Sequence, residues 1–105
     1  MEDNKKERCA LTRVIETEFD ILKRHVDVLK MLQKKPMGII KLAELTNYPQ
    51  HMVRYSLRIL EQDGVIEPSS KGAITTDEVP RTFESLKNTL HDLSKTIDKI
   101  IKMLE

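Results

Sequence analysis

Towards the C-terminus, Phe83, Leu86, Leu90, Leu93, Ile97, Ile100 and Leu104 follow one another at alternating steps of three and four residues. That alternation is the a/d stripe of a heptad pattern held over three repeats. It restricts Arg81 to Glu105 to one outcome: a helix with an apolar seam that needs a partner. Lys87, Asp92, Lys95, Asp98, Lys99 and Lys102 lie between the seam positions and keep the other faces in water. Each fully buried Leu, Ile or Phe stabilises by about 1.5–3 kcal/mol, so seven such side chains are not expected to stay in solvent. Two coverings are open. Either a second copy pairs along Phe83, Leu86, Leu90, Leu93, Ile97, Ile100 and Leu104, or the helix folds back on the N-terminal helix of its own chain. Both packings fit a dimeric bundle, and self-association is the expectation.

The N-terminal part has the same kind of pattern. From about Asp3 to Lys34 there is no Pro or Gly, and Leu11, Ile15, Phe19, Leu22, Val26, Leu29 and Leu32 recur at helical spacing. One long helix is predicted, or two meeting near Phe19–Asp20. Lys34 and Lys35 suit the negative end of the helix dipole, and Pro36 disfavours helix at the residue before it. Met37-Gly38 then reads as a turn.

The middle of the chain is built from shorter pieces. Ile39 to Thr46 predicts a second helix. Asn47-Tyr48-Pro49 breaks it, with Pro49 placed for the first turn of a third helix reaching Gln62. Met52, Val53, Leu57 and Leu60 supply that helix with its core face, and Asp63-Gly64 stops it. Val65-Ile66-Glu67 and Ala73-Ile74-Thr75-Thr76 are β-rich and flank the turn formers Pro68 to Gly72, which predicts a small hairpin. Asp77 to Pro80 reads as a linker. The fold class expected is mainly α, with an N-terminal helix extension over 1–22, a central domain over 23–77 and a dimerisation helix over 78–105.

Helix, helix, sharp turn, helix and two-stranded ribbon is the order of a winged helix-turn-helix. The stretch LAELTNYPQHMVRYSLRILEQDGVI resembles the core of bacterial and archaeal winged-helix transcription regulators. The residues that carry the likeness are Leu42-Ala43-Glu44-Leu45, Asn47-Tyr48-Pro49, Val53, Leu57 and Leu60, and Asp63-Gly64-Val65-Ile66. It spans roughly Lys23 to Asp77. The resemblance implies a regulator that binds double-stranded DNA as a homodimer through its third helix.

The residues themselves support a polyanion as the partner of that segment. Net charge is only +1, but residues 23–58 hold eight basic and two acidic side chains, whereas 1–22 hold four and six, and 59–105 hold six and nine. No acid occurs from Asn47 to Leu60. With Val53, Leu57 and Leu60 turned inward, Gln50, His51, Arg54, Tyr55 and Arg58 face outward, and Gln50, Arg54 and Arg58 form an i, i+4, i+8 stripe. The major groove admits a helix; Gln suits adenine, Arg suits guanine or phosphate, and Tyr suits phosphate or a thymine methyl. Lys41 beside the second helix and Lys71 at the hairpin tip are the further DNA-binding candidates, with Lys34 and Lys35 nearby. Ser56 and Met52 read as packing positions. The alternative for the third helix is a solvated face with Arg54 and Arg58 paired to carboxylates.

Other chemistry finds little support. His25, His51 and His91 are scattered without a recurring metal-ligand spacing. The three glycines stand singly, so no phosphate loop is formed. No motif sets a nucleophile beside a base. No enzyme activity, metal or cofactor is expected. Cys9 is the lone cysteine and forms no internal disulfide. No apolar run approaches about 18 residues, and the charged stretch Met1 to Arg8 lacks the apolar core of a signal peptide. The expectation is a cytoplasmic protein. The rival class is a winged-helix protein-interaction module or adaptor that does not read DNA, favoured by the near-neutral total charge and short wing. RNA binding is a weaker third reading.

Overall fold

The computed structural model describes residues 9–105. The first element is a 3-10 turn, Ala10–Thr12, leading into α1 (Arg13–Lys34). The helix expected from Asp3 is thus not α-helical between Cys9 and Thr12, and the part before Cys9 lies outside the described residues. Cys9 is extended, its Sγ accepts the Leu11 N–H at 3.4 Å, and its carbonyl accepts the Thr12 N–H at 3.2 Å. This i to i+3 closure tightens the entry before α-helical bonding begins. α1 then continues through Phe19 and Asp20 without a break. It stops because Lys35 must be extended ahead of Pro36 (φ −174°, ψ 162°).

α2 (Ile39–Thr46) and α3 (Gln50–Gln62) follow. Asn47 closes α2 in the left-handed region (φ 66°), with its N–H on the Ala43 carbonyl at 2.9 Å. Asn tolerates that conformation better than most residues. α3 ends in a Schellman arrangement: Gly64 (φ 77°) donates to Glu61, and Val65 donates to Leu60. The same two residues, Leu60 and Val65, meet in the apolar core.

The hairpin is tighter than expected. β1 (Ile66–Ser69) and β2 (Gly72–Thr75) pair antiparallel, Ile66 opposite Thr75 and Ser69 opposite Gly72, leaving Ser70-Lys71 as the loop. Ser69 Oγ donates to the Gly72 carbonyl at 2.6 Å and accepts the Lys71 N–H at 3.1 Å. Pro68 is tolerated because β1 is an edge strand. Met37, expected in a plain turn, adds a third backbone segment beside β2. It exchanges N–H···O bonds with Ala73 at 3.3 and 2.8 Å, so the α1–α2 connection is stitched to the wing. Finally α4 spans Val79–Met103. Pro80 sits in its first turn, where a missing N–H costs nothing, and so it starts the helix instead of ending a linker.

The core is formed by Val28, Leu29 and Leu32 of α1, Met37, Leu42 of α2, Val53 and Leu60 of α3, Val65, Ile66 and Val79. Phe83 packs against it from the second turn of α4. Beyond Leu86 every residue of α4 is exposed. The helix leaves the body and contributes to a longest dimension of 54 Å.

Gly72 is required twice over. Its φ is +112°, and a Cβ there would lie 2.4 Å from the Met37 carbonyl carbon and 2.8 Å from the Gly38 nitrogen. Gly72→Ala is therefore expected to destabilise the fold by at least about 2 kcal/mol, because backbone atoms must give way and the conformation is strained. Chemical denaturation of the variant against the parent measures this.

Candidate nucleic-acid interface

α3 is amphipathic in the way its sequence predicts. Val53, Ser56 and Leu60 are buried, with Met52, Leu57 and Ile59 half-buried. Gln50, His51, Arg54, Tyr55 and Arg58 are all exposed on the opposite side. The ion pairs among the described residues are Lys23–Asp27, Glu78–Arg81 and Glu84–Lys87. None draws on Arg54, Arg58, Lys41 or Lys71, so both arginines on the outer face of α3 keep their guanidinium groups unneutralised.

The stripe is not uniform in its surroundings. Gln50 and Arg54 form one wall of an open groove of about 580 Å³, completed by Gly38, Ile39, Ile40, Lys41 and Glu44 from the start and outer side of α2. The groove brings Lys41 to the same site as the stripe. Ile40 adds an apolar side chain there, 64% exposed, which is more than its type favours. Arg58 lies elsewhere: its guanidinium carbon stands 5.6 Å from the centroid of the Tyr55 ring, which is itself 5.8 Å from the His25 ring. Tyr55 thus links the outer face of α3 to α1. Lys71 is exposed at the hairpin loop and Lys34 and Lys35 are exposed at the end of α1. Neither group joins the α2–α3 groove.

Two polar clusters under this face were not foreseen from sequence. At the first, Ser56 is fully buried, and its Oγ accepts from Arg24 Nε at 3.2 Å and lies 2.8 Å from His25 Nδ1. The Ser56 hydroxyl is within hydrogen-bond reach of both side chains at once, and it can donate to the Nδ1 of a neutral His25. Burial, then the neighbouring Arg24 charge, lowers the His25 pKa from 6.5, with Asp63 opposing them. A signal was present in the sequence: Ser56 interrupts the apolar face between Val53 and Leu60, and a buried hydroxyl demands a partner. At the second, Tyr48 in the α2–α3 turn donates its hydroxyl to Asp27 Oδ2 of α1 at 2.5 Å, and Lys23 Nζ donates to the same oxygen at 3.0 Å.

Among the described residues, no group of three or more His, Cys, Asp or Glu side chains could hold a metal ion. No helix there is long and apolar enough to cross a membrane.

A neutral His25 has a testable consequence. Its folded pKa lies below the unfolded value, so the stabilisation it provides is present above about pH 6.5 and is lost as pH falls towards the folded value. Denaturant midpoints measured across this range should decline on acidification in the parent protein. The decline should be smaller in His25→Gln, which does not titrate.

Comparison with known proteins adds to the geometry. Residues 23–67 match the profile of the family described as bacterial regulatory protein, arsR family. The match starts within α1 and ends in β1, just after the α3 stop, and covers less than half of the chain. No curated protein matches the chain. With two helices around a sharp turn, a stitched two-stranded wing and this match over 23–67, the chain is a winged helix-turn-helix DNA-binding transcriptional regulator, similar over that span to the bacterial arsR-family proteins.

Proposed function

We propose that the protein binds duplex DNA in a sequence-specific manner as a homodimer, with α3 in the major groove. The observation that carries this reading is the outer face of α3: Gln50, Arg54 and Arg58 along one stripe, exposed and without a carboxylate partner, flanked by His51 and Tyr55. Gln50 and Arg54 stand where the α2–α3 groove opens and are the candidates for base edges. Arg58, leaning on the Tyr55 ring, is oriented by a cation–π contact and suits phosphate or guanine. Lys41 and the wing-tip Lys71 hold the backbone by charge.

The dimer reading rests on uncovered apolar surface. Phe83 and Leu86 are half-buried against the chain's own body, but Leu90, Leu93, Ile97, Ile100 and Leu104 are 39–80% exposed. Ile101 and Met103 widen the stripe at its end. On α1 and the turn before it, Leu11, Val14, Ile15 and Phe19 are exposed as well. An apolar surface this extended on a single chain marks an interaction site, and a second copy offers a matching stripe. A two-fold dimer would set its two α3 helices about 34 Å apart, one DNA turn, and would read a palindromic site. The segment 78–105 serves in this reading as the dimerisation helix, with the N-terminal half of α1 beside it.

Selection of bound duplexes from a random pool, followed by affinity measurements at several salt concentrations, tests the DNA reading. Arg54→Ala and Arg58→Ala should each weaken binding to the selected duplex by about five- to 150-fold, corresponding to about 1–3 kcal/mol per lost contact, while sedimentation still reports a dimer. Unchanged affinity in both would remove α3 from the interface. A flat salt dependence would favour the protein-adaptor reading. Separately, Ile97→Glu places a charge on the exposed seam, and sedimentation should then report monomer at concentrations where the parent is dimeric.

A further inference from the structure

We propose that Asp27 and Tyr48 are positioning residues for DNA reading: their hydrogen bond ties the α2–α3 turn to α1 and sets where α3 begins. This inference rests on α3 being the reading helix. Tyr48 stands two residues before Gln50, the first residue of α3, and packs half-buried against the core. Its hydroxyl donates to Asp27 Oδ2 at 2.5 Å, across a separation of 21 residues in the chain. The acceptor is an ionised carboxylate, which strengthens the bond over a neutral pair, and the 38% exposure of the Asp27 side chain lets solvent screen part of that gain. Consistent with it, the Asp27 carboxyl is held below its ordinary pKa, chiefly by Tyr48, and the Tyr48 phenol is raised above its own, chiefly by Asp27. Lys23 shares the same oxygen, but with its side chain 73% exposed the ion pair is screened and adds little.

The tether supplies what the core does not. α3 is otherwise held by Val53 and Leu60 in apolar packing and by the Ser56 hydroxyl near the middle of the helix. Apolar burial is non-directional and tolerates small rolls and slides of a helix, whereas a hydrogen bond weakens steeply once its geometry departs from alignment. The Ser56 contacts hold the middle of α3; the Tyr48 bond holds its beginning. Together they define both the position and the roll of the helix. Contacts to base edges depend on that definition, because donors must meet fixed acceptors in the groove. Contacts to phosphates depend on it far less. The tether therefore governs discrimination between sequences more than attraction to DNA as such.

Affinities for the selected duplex and for a scrambled duplex of the same length are to be compared in the parent protein, Tyr48→Phe, Asp27→Ala and the double variant. Tyr48→Phe keeps the ring in the core and removes only the hydroxyl. Each single variant should lose affinity for the selected duplex on the order of tenfold, the scale of one hydrogen bond to a charged group. Affinity for the scrambled duplex and the salt dependence should stay at parent values, and the double variant should lose no more than the worse single one. Asp27→Asn, which retains an acceptor oxygen, should recover part of the loss. An unchanged selected-to-scrambled ratio in Tyr48→Phe would overturn the proposal, as would additive losses in the double variant or a uniform loss on both duplexes accompanied by a lowered melting temperature. A parent protein that prefers no duplex at all would instead overturn the DNA reading, and the tether's role with it.

Discussion

The crossing of α3 over α1 is the contact on which the molecule turns. α3 has one side made of Val53, Ser56 and Leu60, and α1 offers Val28, Leu29 and Leu32 to the same core. Burying that side removes the apolar surface of α3 from water and, by the same act, decides which side is left to face outward. Which way the cationic stripe faces is therefore decided by the burial of the opposite, apolar side. Ser56 makes the crossing selective as well as stable. A buried hydroxyl is costly unless paired, and the Arg24 and His25 contacts are made only when α1 and α3 lie in this register.

The small body is held together by connections between its ends. Met37 joins the α1–α2 connection to β2, and Thr76 ties the end of the hairpin back to the α3 stop through the Gly64 carbonyl at 2.6 Å. α1, the wing and the exit of α3 thus meet in one place, from which α4 departs. With ten buried apolar residues in the core, the body has little surplus apolar surface, and most of what the sequence sets aside on α4 is left over. That surplus is the physical basis for the dimer proposed above: every residue in the second half of α4 is exposed.

Much of this architecture is legible in the chain. α2 and α3 fall where their apolar spacing, Pro49 and Gly64 put them, and the core side of α3 follows from Val53, Leu57 and Leu60. Boundaries that depend on a single local competition are less legible. Pro68 to Gly72 contains four turn formers, but only Ser70 and Lys71 form the loop, since Ser69 bonds across to Gly72 and extends the ladder. Pro80 is equally at home after a linker or at the start of a helix, and the burial of Val79 settles the matter. The outward direction of Gln50, Arg54 and Arg58 is readable from periodicity. That Lys41 and Ile40 share their groove while Arg58 leans on Tyr55 is not, because it depends on how α2 is set against α3.

Periodicity, capping and chain breakers act over a few residues, so the residue order alone settles the helices, their apolar faces, the glycine stop at Gly64 and the concentration of positive charge between 23 and 58. The bonds that lock those pieces together act across long stretches of chain: Asp27 with Tyr48, His25 with Ser56, Met37 with Ala73. A hydrogen bond of that kind leaves no local pattern, since either partner alone is an ordinary polar residue or backbone group until packing brings the two together. The C-terminal stripe shows the same division within one helix. Its spacing is regular from Phe83 to Leu104, yet Phe83 and Leu86 are half-buried against the body, Leu90 stands at its edge beside Val26 and Lys30, and Leu93 onward are exposed, because the point at which α4 leaves the core is set by the shape of the packed body.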